Sequence, residues 1–175
     1  MSDSGTSPTA PAAWGDARTK KLTWYDPLAA AEAGARMSGI EHIQAIARGE
    51  LPPPPIAALF GFEIVDVRPG EVTFGCVPDE SAYNPIGLVH GGLVCTLLDS
   101  VLGLAVQTTL AAGVGWTSIE IKVSYLRPVR TTSGRLVARG WVTKPGRRVA
   151  FAEGDVRDSA GVLVATATSS CLIMS

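Results

Sequence analysis

The sequence predicts an α+β domain in which an antiparallel β-sheet curls around one long central helix. Three observations predict this fold: a hairpin pattern at residues 62–77, the most apolar run of the chain at residues 88–112, and four strand-like segments after that run. With 175 residues and 46% hydrophobic side chains, the chain has the size of one domain and can fill a sizeable core.

The charges are few and balanced, because 15 Lys and Arg oppose 16 Asp and Glu. A chain without a basic field is not suited to holding a polyanion, so no nucleic-acid partner is expected. Cys76, Cys95 and Cys171 have no Cys-x-x-Cys spacing, and only His42 and His90 accompany them. This pattern argues against a closed zinc site. We therefore expect no metal, no cofactor and three free thiols in a reducing cytoplasm.

The chain divides by composition into three parts. Residues 1–37 are expected to form a tail, largely disordered or partly helical, and residues 38–57 a helix followed by a proline-rich linker; residues 58–175 form the folded domain. The first 21 residues are rich in Ser, Thr, Pro, Ala and Gly and lack the continuous apolar stretch of a signal peptide. Asp26 before Pro27 has the pattern of a helix N-cap.

Ser38 and Glu41 have capping-box spacing, which predicts a helix from about Gly39 to Arg48. Four consecutive prolines, at 52–55, stop this helix, because proline lacks the N–H donor that a helix interior requires. His42 is expected at a surface position on this helix.

The first part of the domain is predicted to be a hairpin followed by a long helix. Alternating apolar residues on both sides of Arg68-Pro69-Gly70 indicate two strands within residues 62–77. The apolar run from Leu88 to Ala112 is long enough for about five helical turns. A run of this length also raises a membrane-spanning alternative. Asp99 near the centre of the run would be costly in a membrane, and the run is flanked by glycines rather than by Lys and Arg. Both features favour a helix buried in protein, so no membrane partner is expected.

The second part of the domain is predicted to be four strands: Ser118–Tyr125, Arg135–Thr143, Arg148–Arg157 and Val162–Ile173. Short stretches with the Gly, Pro, Ser and Asp chemistry of hairpin turns separate these four strands, at 131–134, 144–146 and 158–161. Strands joined by short turns pair antiparallel, which gives the sheet a means of wrapping the helix.

One stretch of the chain resembles a known family. Asn84-Pro85-Ile86-Gly87-Leu88-Val89-His90-Gly91-Gly92, with Leu98-Asp99 after it, resembles the signature of hotdog-fold thioesterases of the phenylacetate-degradation (PaaI-like) type. Residues 118–128, the turn at 144–148 and the closing strand after residue 161 agree with it. The resemblance covers about residues 58–173. It implies the hotdog fold and a cytoplasmic acyl-CoA thioesterase, a hydrolase that works as a homodimer or homotetramer.

Thioester hydrolysis needs a polarised carbonyl and a nucleophile, and the sequence offers a candidate for each. At His90-Gly91-Gly92, where the long helix should begin, free N–H groups can stabilise an oxyanion, and glycine allows close approach. Asp99 lies among apolar neighbours, where partial desolvation makes a carboxylate more reactive. The resemblance implies that Asp99 is the catalytic acid residue; its use as general base or as nucleophile stays open.

The resemblance implies supporting roles for four further residues. Asn84 would contact the carbonyl or the water, and His90 would orient the loop or help to polarise the carbonyl. Ser118, or Thr117 beside it, would hold the attacking water. An ordinary loop or strand-end position is the structural alternative for each of them.

The leaving group is coenzyme A or an acyl carrier protein arm, whose phosphates need cations or free N–H donors. The cationic candidates are Arg127, Arg130, Lys144, Arg147 and Arg148, and the Gly146 N–H lies in the same turn as the last three. Candidate linings for the acyl group are Tyr83, Leu88, Val89, Leu102 and Trp116.

The spacing along the helix carries an inference about assembly. Gly91 and Asp99 are eight residues apart, which is about 12 Å along a helix, so one carbonyl cannot contact both within one chain. If both act on one thioester, the second group comes from another subunit across a two-fold axis, which predicts an obligate homodimer.

Two other function classes are open to a hotdog domain. A hydratase or dehydratase needs an Asp and a His, and no histidine follows Asp99 in the chain. A non-catalytic acyl-CoA-binding module would be expected to lack the acidic residue, which is present here. The sequence therefore favours the thioesterase.

Overall fold

The computed structural model describes residues 11–174, and in this part the chain forms four α-helices and six β-strands. The helices are α1 (Pro27–Gly34), α2 (Gly39–Ala47), α3 (Pro55–Phe60) and α4 (Gly91–Gln107); the strands are β1 (Phe62–Arg68), β2 (Glu71–Cys76), β3 (Gly115–Tyr125), β4 (Leu136–Lys144), β5 (Val149–Arg157) and β6 (Leu163–Met174). The strands form one antiparallel sheet in the order β1-β2-β4-β5-β6-β3. The predicted fold class is confirmed, and the predicted strands end within three residues of those observed.

Helix α4 lies against the inner face of the sheet and supplies the centre of the core. Its buried residues recur every three or four positions, so one broad apolar face packs on the strands: Leu93, Val94, Leu97, Leu98, Val101, Leu102, Ala105 and Val106. Within residues 11–174, no helix combines the length and apolarity needed to cross a membrane.

Two glycines on neighbouring strands set how closely α4 approaches the sheet. Gly140 on β4 pairs with Gly154 on β5. A β-carbon at Gly140 would lie 2.5 Å from the backbone oxygen of Val101, and one at Gly154 would lie 3.2 Å from a methyl carbon of Leu102. The absence of side chains at this pair therefore lets the helix backbone rest on the strands.

The segment before the sheet packs on the C-terminal end of α4. The N–H of Gly39 donates to the oxygen of Leu110 at 2.9 Å, and the N–H of Gly113 donates to the oxygen of Ala35 at 3.0 Å. Ile43 is 1% exposed. These contacts fix α1 and α2 on the domain. Residues 1–10 of the expected tail lie outside the described residues.

The caps of this segment follow the sequence patterns. Asp26 accepts from the N–H of Leu28 at 2.9 Å, with Pro27 as the first residue of α1. Glu41 accepts from the N–H and the hydroxyl of Ser38, and these hydrogen bonds lower the pKa of Glu41. The predicted α2 is therefore confirmed.

Helix α3 was not predicted, because it begins inside the proline run, where Pro55 occupies a first-turn position that proline tolerates.

Strand β3 lies at one edge of the sheet and pairs only with β6 in the part of the chain described. Its register shifts between Ser118 and Glu120, so Ile119 is an extra residue on this strand. The side chain of Ile119 is 55% exposed, and those of Tyr125 and Leu126 are exposed to a similar degree. A long edge strand with exposed apolar residues is a template for pairing with another chain.

We expect Gly140→Ala to lower the free energy of unfolding by about 1–3 kcal/mol, because the new β-carbon displaces the α4 backbone. Val137→Ala, on an exposed position of the same strand, is the matched control and is expected to cost less than about 1 kcal/mol. Urea unfolding followed by circular dichroism measures both. Equal costs for the two variants would show that the helix does not rest on Gly140.

Candidate active site

The N-terminus of α4 is capped by His90. The Nδ1 atom of His90 accepts from the N–H of Gly92 at 2.8 Å. A neutral imidazole that accepts through Nδ1 carries its proton on Nε2, so His90 keeps one donor for another group. The N–H of Gly91 has no hydrogen-bond partner within residues 11–174. Two donors at this helix end are therefore available to an oxygen atom.

Both glycines at this helix end are also required by packing. The hydroxyl of Tyr125 donates to the oxygen of Gly91 at 2.9 Å, and a β-carbon at Gly91 would lie 3.1 Å from the Tyr125 ring. A β-carbon at Gly92 would lie 2.8 Å from Nδ1 of His90 and would disturb the cap. Glycine at 91 and 92 thus keeps the donors accessible and the cap in place.

Asn84 closes the loop that leads into α4. Its Oδ1 atom accepts from the N–H groups of Ile86, at 3.1 Å, and Leu88, at 3.0 Å. The backbone N–H of Asn84 donates to the oxygen of Leu88 at 2.7 Å. The side-chain oxygen is occupied in the loop, so the amide NH₂ is the group through which Asn84 could meet a substrate; that role stays a prediction.

Asp99 projects from the middle of α4 toward β3. The hydroxyl of Ser118 donates to Oδ1 of Asp99 at 2.8 Å, and the Asp99 side chain is half-buried. Burial raises the pKa of the Cys95 thiol, and the negative charge of Asp99 adds to this effect. Burial raises the pKa of the Cys171 thiol too. Both thiols therefore stay protonated at neutral pH, and Asp99 is the carboxyl group at this point of the core.

The two candidate groups on α4 face different cavities. Asp99 lies in the wall of a cavity of about 640 Å³, which we call the aspartate cavity. His90 and Gly92 lie in the wall of a second cavity, of about 370 Å³, which we call the helix-end cavity. One subunit does not bring the helix N-terminus and Asp99 to one point, as the eight-residue spacing predicts.

Thr117 is exposed on β3 beside Ser118.

The candidate phosphate-binding cations separate into two groups. Arg127 and Arg130 flank Pro128-Val129. The oxygen of Val129 accepts from the N–H of Val89 at 3.0 Å, so both arginines lie near the start of α4.

The other group lies at the opposite end of the helix. The N–H of Val142 donates to the oxygen of Gly70, and the N–H of Gly70 donates to the Thr108 hydroxyl after the end of α4. Lys144, Gly146, Arg147 and Arg148 follow Val142 in the β4–β5 turn, and Gly146 fits this turn because a β-carbon there would collide with Val149. Within one subunit these two groups of cations do not form one site.

The predicted acyl linings do not share one cavity. Trp116 lines the aspartate cavity, whereas Tyr83 lines the helix-end cavity. Leu102 is a core residue rather than an acyl lining, because its side chain is fully buried between α4 and the sheet, and Val89 is buried as well. Leu88 is half-buried and lines neither cavity.

Sequence reasoning placed His42 on the surface, which was wrong. Nδ1 of His42 lies 2.9 Å from Nε2 of Gln107, and Nε1 of Trp116 donates to Oε1 of Gln107 at 3.2 Å. These three residues line the aspartate cavity, and burial lowers the pKa of His42. The available signal was the helical spacing, since His42 shares a face of α2 with Ile43 and Ile46.

Metal-ligating side chains do not cluster in residues 11–174: nowhere do three or more His, Cys, Asp or Glu side chains come together as a metal site.

Comparisons with known proteins identify the family. The thioesterase superfamily model matches residues 86–165. Human acyl-coenzyme A thioesterase 13 is 31% identical over 103 residues, which are 58% of this chain and 72% of that protein. A phenylacetic acid degradation-related protein of Ralstonia eutropha JMP134 is 33% identical, with a TM-score of 0.68 over 74% of this chain and 97% of that one.

The likeness extends to the PaaI protein of the phenylacetic acid degradation operon of E. coli. That structure is 18% identical and superposes with a TM-score of 0.68 over 79% of this chain and 96% of that one, which is evidence for the shared fold. Together with the curved sheet and the helix that it wraps, these matches place the chain in a family. The protein belongs to the thioesterase superfamily and is a PaaI-like thioester hydrolase with the hotdog fold.

Proposed function

We propose that the protein hydrolyses acyl-CoA thioesters to the free acid and CoA in two sites of a homodimer. Each site combines Asp99 of one subunit with the α4 N-terminus of the other. The observation that carries the proposal is the N–H of Gly91, which has no partner among the described residues and begins the helix that holds Asp99 eight residues later. The 31% identity to human acyl-coenzyme A thioesterase 13 supports the acyl-CoA substrate.

The helix N-terminus polarises the thioester. The carbonyl oxygen accepts from the N–H of Gly91 and from Nε2–H of His90, and the positive end of the helix dipole stabilises the negative charge that develops on it. Donors that are fixed before the reaction need no reorganisation when the charge forms. This role requires the free N–H itself, which provides a direct test.

Asp99 drives the attack on the carbonyl carbon. As general base it takes a proton from water while the new C–O bond forms and the C–S bond breaks; the CoA thiolate then leaves and is protonated. As nucleophile its oxygen displaces the CoA thiolate and forms an anhydride with the acyl group. Water then cleaves the anhydride to the free acid, and the proton released goes to the thiolate, which restores the Asp99 carboxylate. In both routes the Ser118 hydroxyl holds Oδ1, so Oδ2 is the oxygen left to act.

The edge of β3 is the surface through which the subunits pair. Pairing of two β3 strands about a two-fold axis covers the open edge and the exposed side chains of Ile119 and Tyr125. The two α4 helices then run antiparallel. This arrangement also places Arg127 and Arg130 of one subunit at the same end as the Lys144–Arg148 turn of the other, so the divided cations converge on the CoA phosphates.

We expect Asp99→Asn to lower kcat for acyl-CoA hydrolysis by about 10²–10⁴-fold, because the amide neither accepts the proton nor attacks the carbonyl. Ser118→Ala is the matched control, since it removes the hydrogen bond to Asp99 but leaves the carboxylate, and its loss is expected to be smaller. Release of free CoA from a panel of acyl-CoA thioesters measures both. A folded Asp99→Asn dimer with wild-type turnover would contradict the assignment; acyl-CoA binding without turnover by the wild type would indicate a binding module.

We expect Gly91→Pro to lower kcat by about 10²–10³-fold, because proline removes the N–H assigned to the oxyanion. The backbone accepts proline here: it is the first helical position, and His90 before it already has an extended conformation with φ −61° and ψ 134°. Gly91→Ala is the matched control, since it adds the same β-carbon against Tyr125 but keeps the N–H. Equal losses in the two variants would assign the effect to packing.

We expect an equimolar mixture of unfolded Asp99→Asn and Gly91→Pro chains to regain activity on refolding together. With random pairing, half of the dimers are mixed and each has one intact site, so about one quarter of wild-type activity returns. Each variant refolded alone is the control. No gain over the separate variants would show that Asp99 and Gly91 act from the same subunit.

A further inference from the structure

We propose that the aspartate cavity binds the acyl group, that residues 25–57 form its selective wall, and that it accepts neutral apolar acyl groups and rejects those ending in a carboxylate. This inference rests on the proposed function and names its substrate class. Asp99 is one of the residues that line this cavity, and the cavity volume of about 640 Å³ lies within the range of small-molecule sites.

The wall opposite Asp99 comes from the segment that precedes the family match at residues 86–165. Helix α1 contributes Ala30 and Ala31, and helix α2 contributes Ile43 and Ile46. The proline run and α3 complete this side. The chemistry and the acyl wall therefore lie on different parts of the chain.

The wall is held in place by close contacts rather than laid loosely over the sheet. A β-carbon at Gly39 would collide with the backbone oxygen of Gln107, so α2 rests directly on the end of α4. A β-carbon at Gly103 would likewise collide with the ring of Trp116, which fixes the indole against the helix. The wall is thus fixed by one of these contacts and the Trp116 side of the cavity by the other, so the cavity has a defined shape and can select by size.

The polar side chains where this wall meets α4 and β3 satisfy one another. Gln107 joins His42 and Trp116 through both atoms of its amide, at 2.9 and 3.2 Å. Since burial lowers the pKa of His42, this ring is neutral at neutral pH. Apart from Asp26, the wall thus presents apolar surface and the neutral His42 ring to the acyl group.

The charges around the cavity are all negative. Among the described residues that line it, the acidic side chains are Asp26, Glu63 and Asp99, and none is Lys or Arg. Glu63 is paired with Arg135 at 2.6 Å, outside the lining. A terminal carboxylate on the acyl group would lose its hydration without gaining a cation, which is costly. An alkyl or aryl acyl group meets no such penalty.

The test compares acetyl-CoA, octanoyl-CoA and suberyl-CoA, the last of which has the length of octanoyl-CoA and a terminal carboxylate. We expect kcat/KM for octanoyl-CoA to exceed that for suberyl-CoA by about 100-fold or more. Ile46→Trp fills the cavity and is expected to lower the octanoyl-to-acetyl ratio of kcat/KM by about tenfold or more. Ile40→Trp, on α2 but not in the lining, is the matched control and is expected to leave this ratio unchanged.

Ratios taken within one preparation do not depend on the folded fraction, so partial misfolding of a variant does not mimic the result. The same panel is titrated calorimetrically into Asp99→Asn, which separates binding from turnover. Hydrolysis without acyl preference, or with preference for suberyl-CoA, overturns the inference and leaves the proposed function standing. Selective binding of octanoyl-CoA by a protein that hydrolyses no thioester would overturn the proposed function and leave the inference about the cavity standing.

Discussion

The contact between α4 and the sheet at Gly140 is the constraint on which the rest of the structure depends. A β-carbon there would meet the Val101 carbonyl at 2.5 Å, so helix and sheet are closer than side chains would allow. With α4 held on the sheet, the Ser118 hydroxyl reaches Asp99 and the Tyr125 hydroxyl reaches the first turn of the helix. The geometry of the candidate site is thus a consequence of core packing.

The second constraint is the length of helix between the candidate groups. Because Asp99 and Gly91 are separated by two turns, one helix cannot complete a site alone but can contribute to two. The open edge of β3 offers a surface for the second copy, and the two separated groups of cations fit the same arrangement. In this interpretation, dimer formation completes the two active sites and also covers the open edge of the sheet.

Much of the fold was predictable because local patterns and packing agree. The strands alternate apolar and polar residues, the turns contain Gly, Pro, Ser and Asp, and Asp26 and Ser38 mark helix starts that the structure contains. Asp99 was identifiable as the acidic residue of an apolar helix. Its partner Ser118 was assigned to hold water, whereas in the structure its hydroxyl bonds the carboxylate.

Other features depend on contacts that the sequence does not reveal. His42 meets Gln107 from 65 positions away, so a residue assigned to the surface lies in the wall of a cavity. Leu102 and Trp116 were both candidate acyl linings. In the structure Leu102 packs in the core between α4 and the sheet, whereas Trp116 lines the aspartate cavity. The division of the cations between two helix ends follows from strand topology, which spacing along the chain does not encode.

The extra residue at Ile119 has a consequence for which side chains β3 can turn toward the helix. Successive residues of a strand point to opposite faces, so Ser118 and Tyr125, one even and one odd, would normally face apart. The bulge reverses the parity, and both hydroxyls point to α4, one to Asp99 and the other to Gly91. A chain shortened by this one residue would keep most of its strand pairing, yet could keep only one of these two hydrogen bonds to α4.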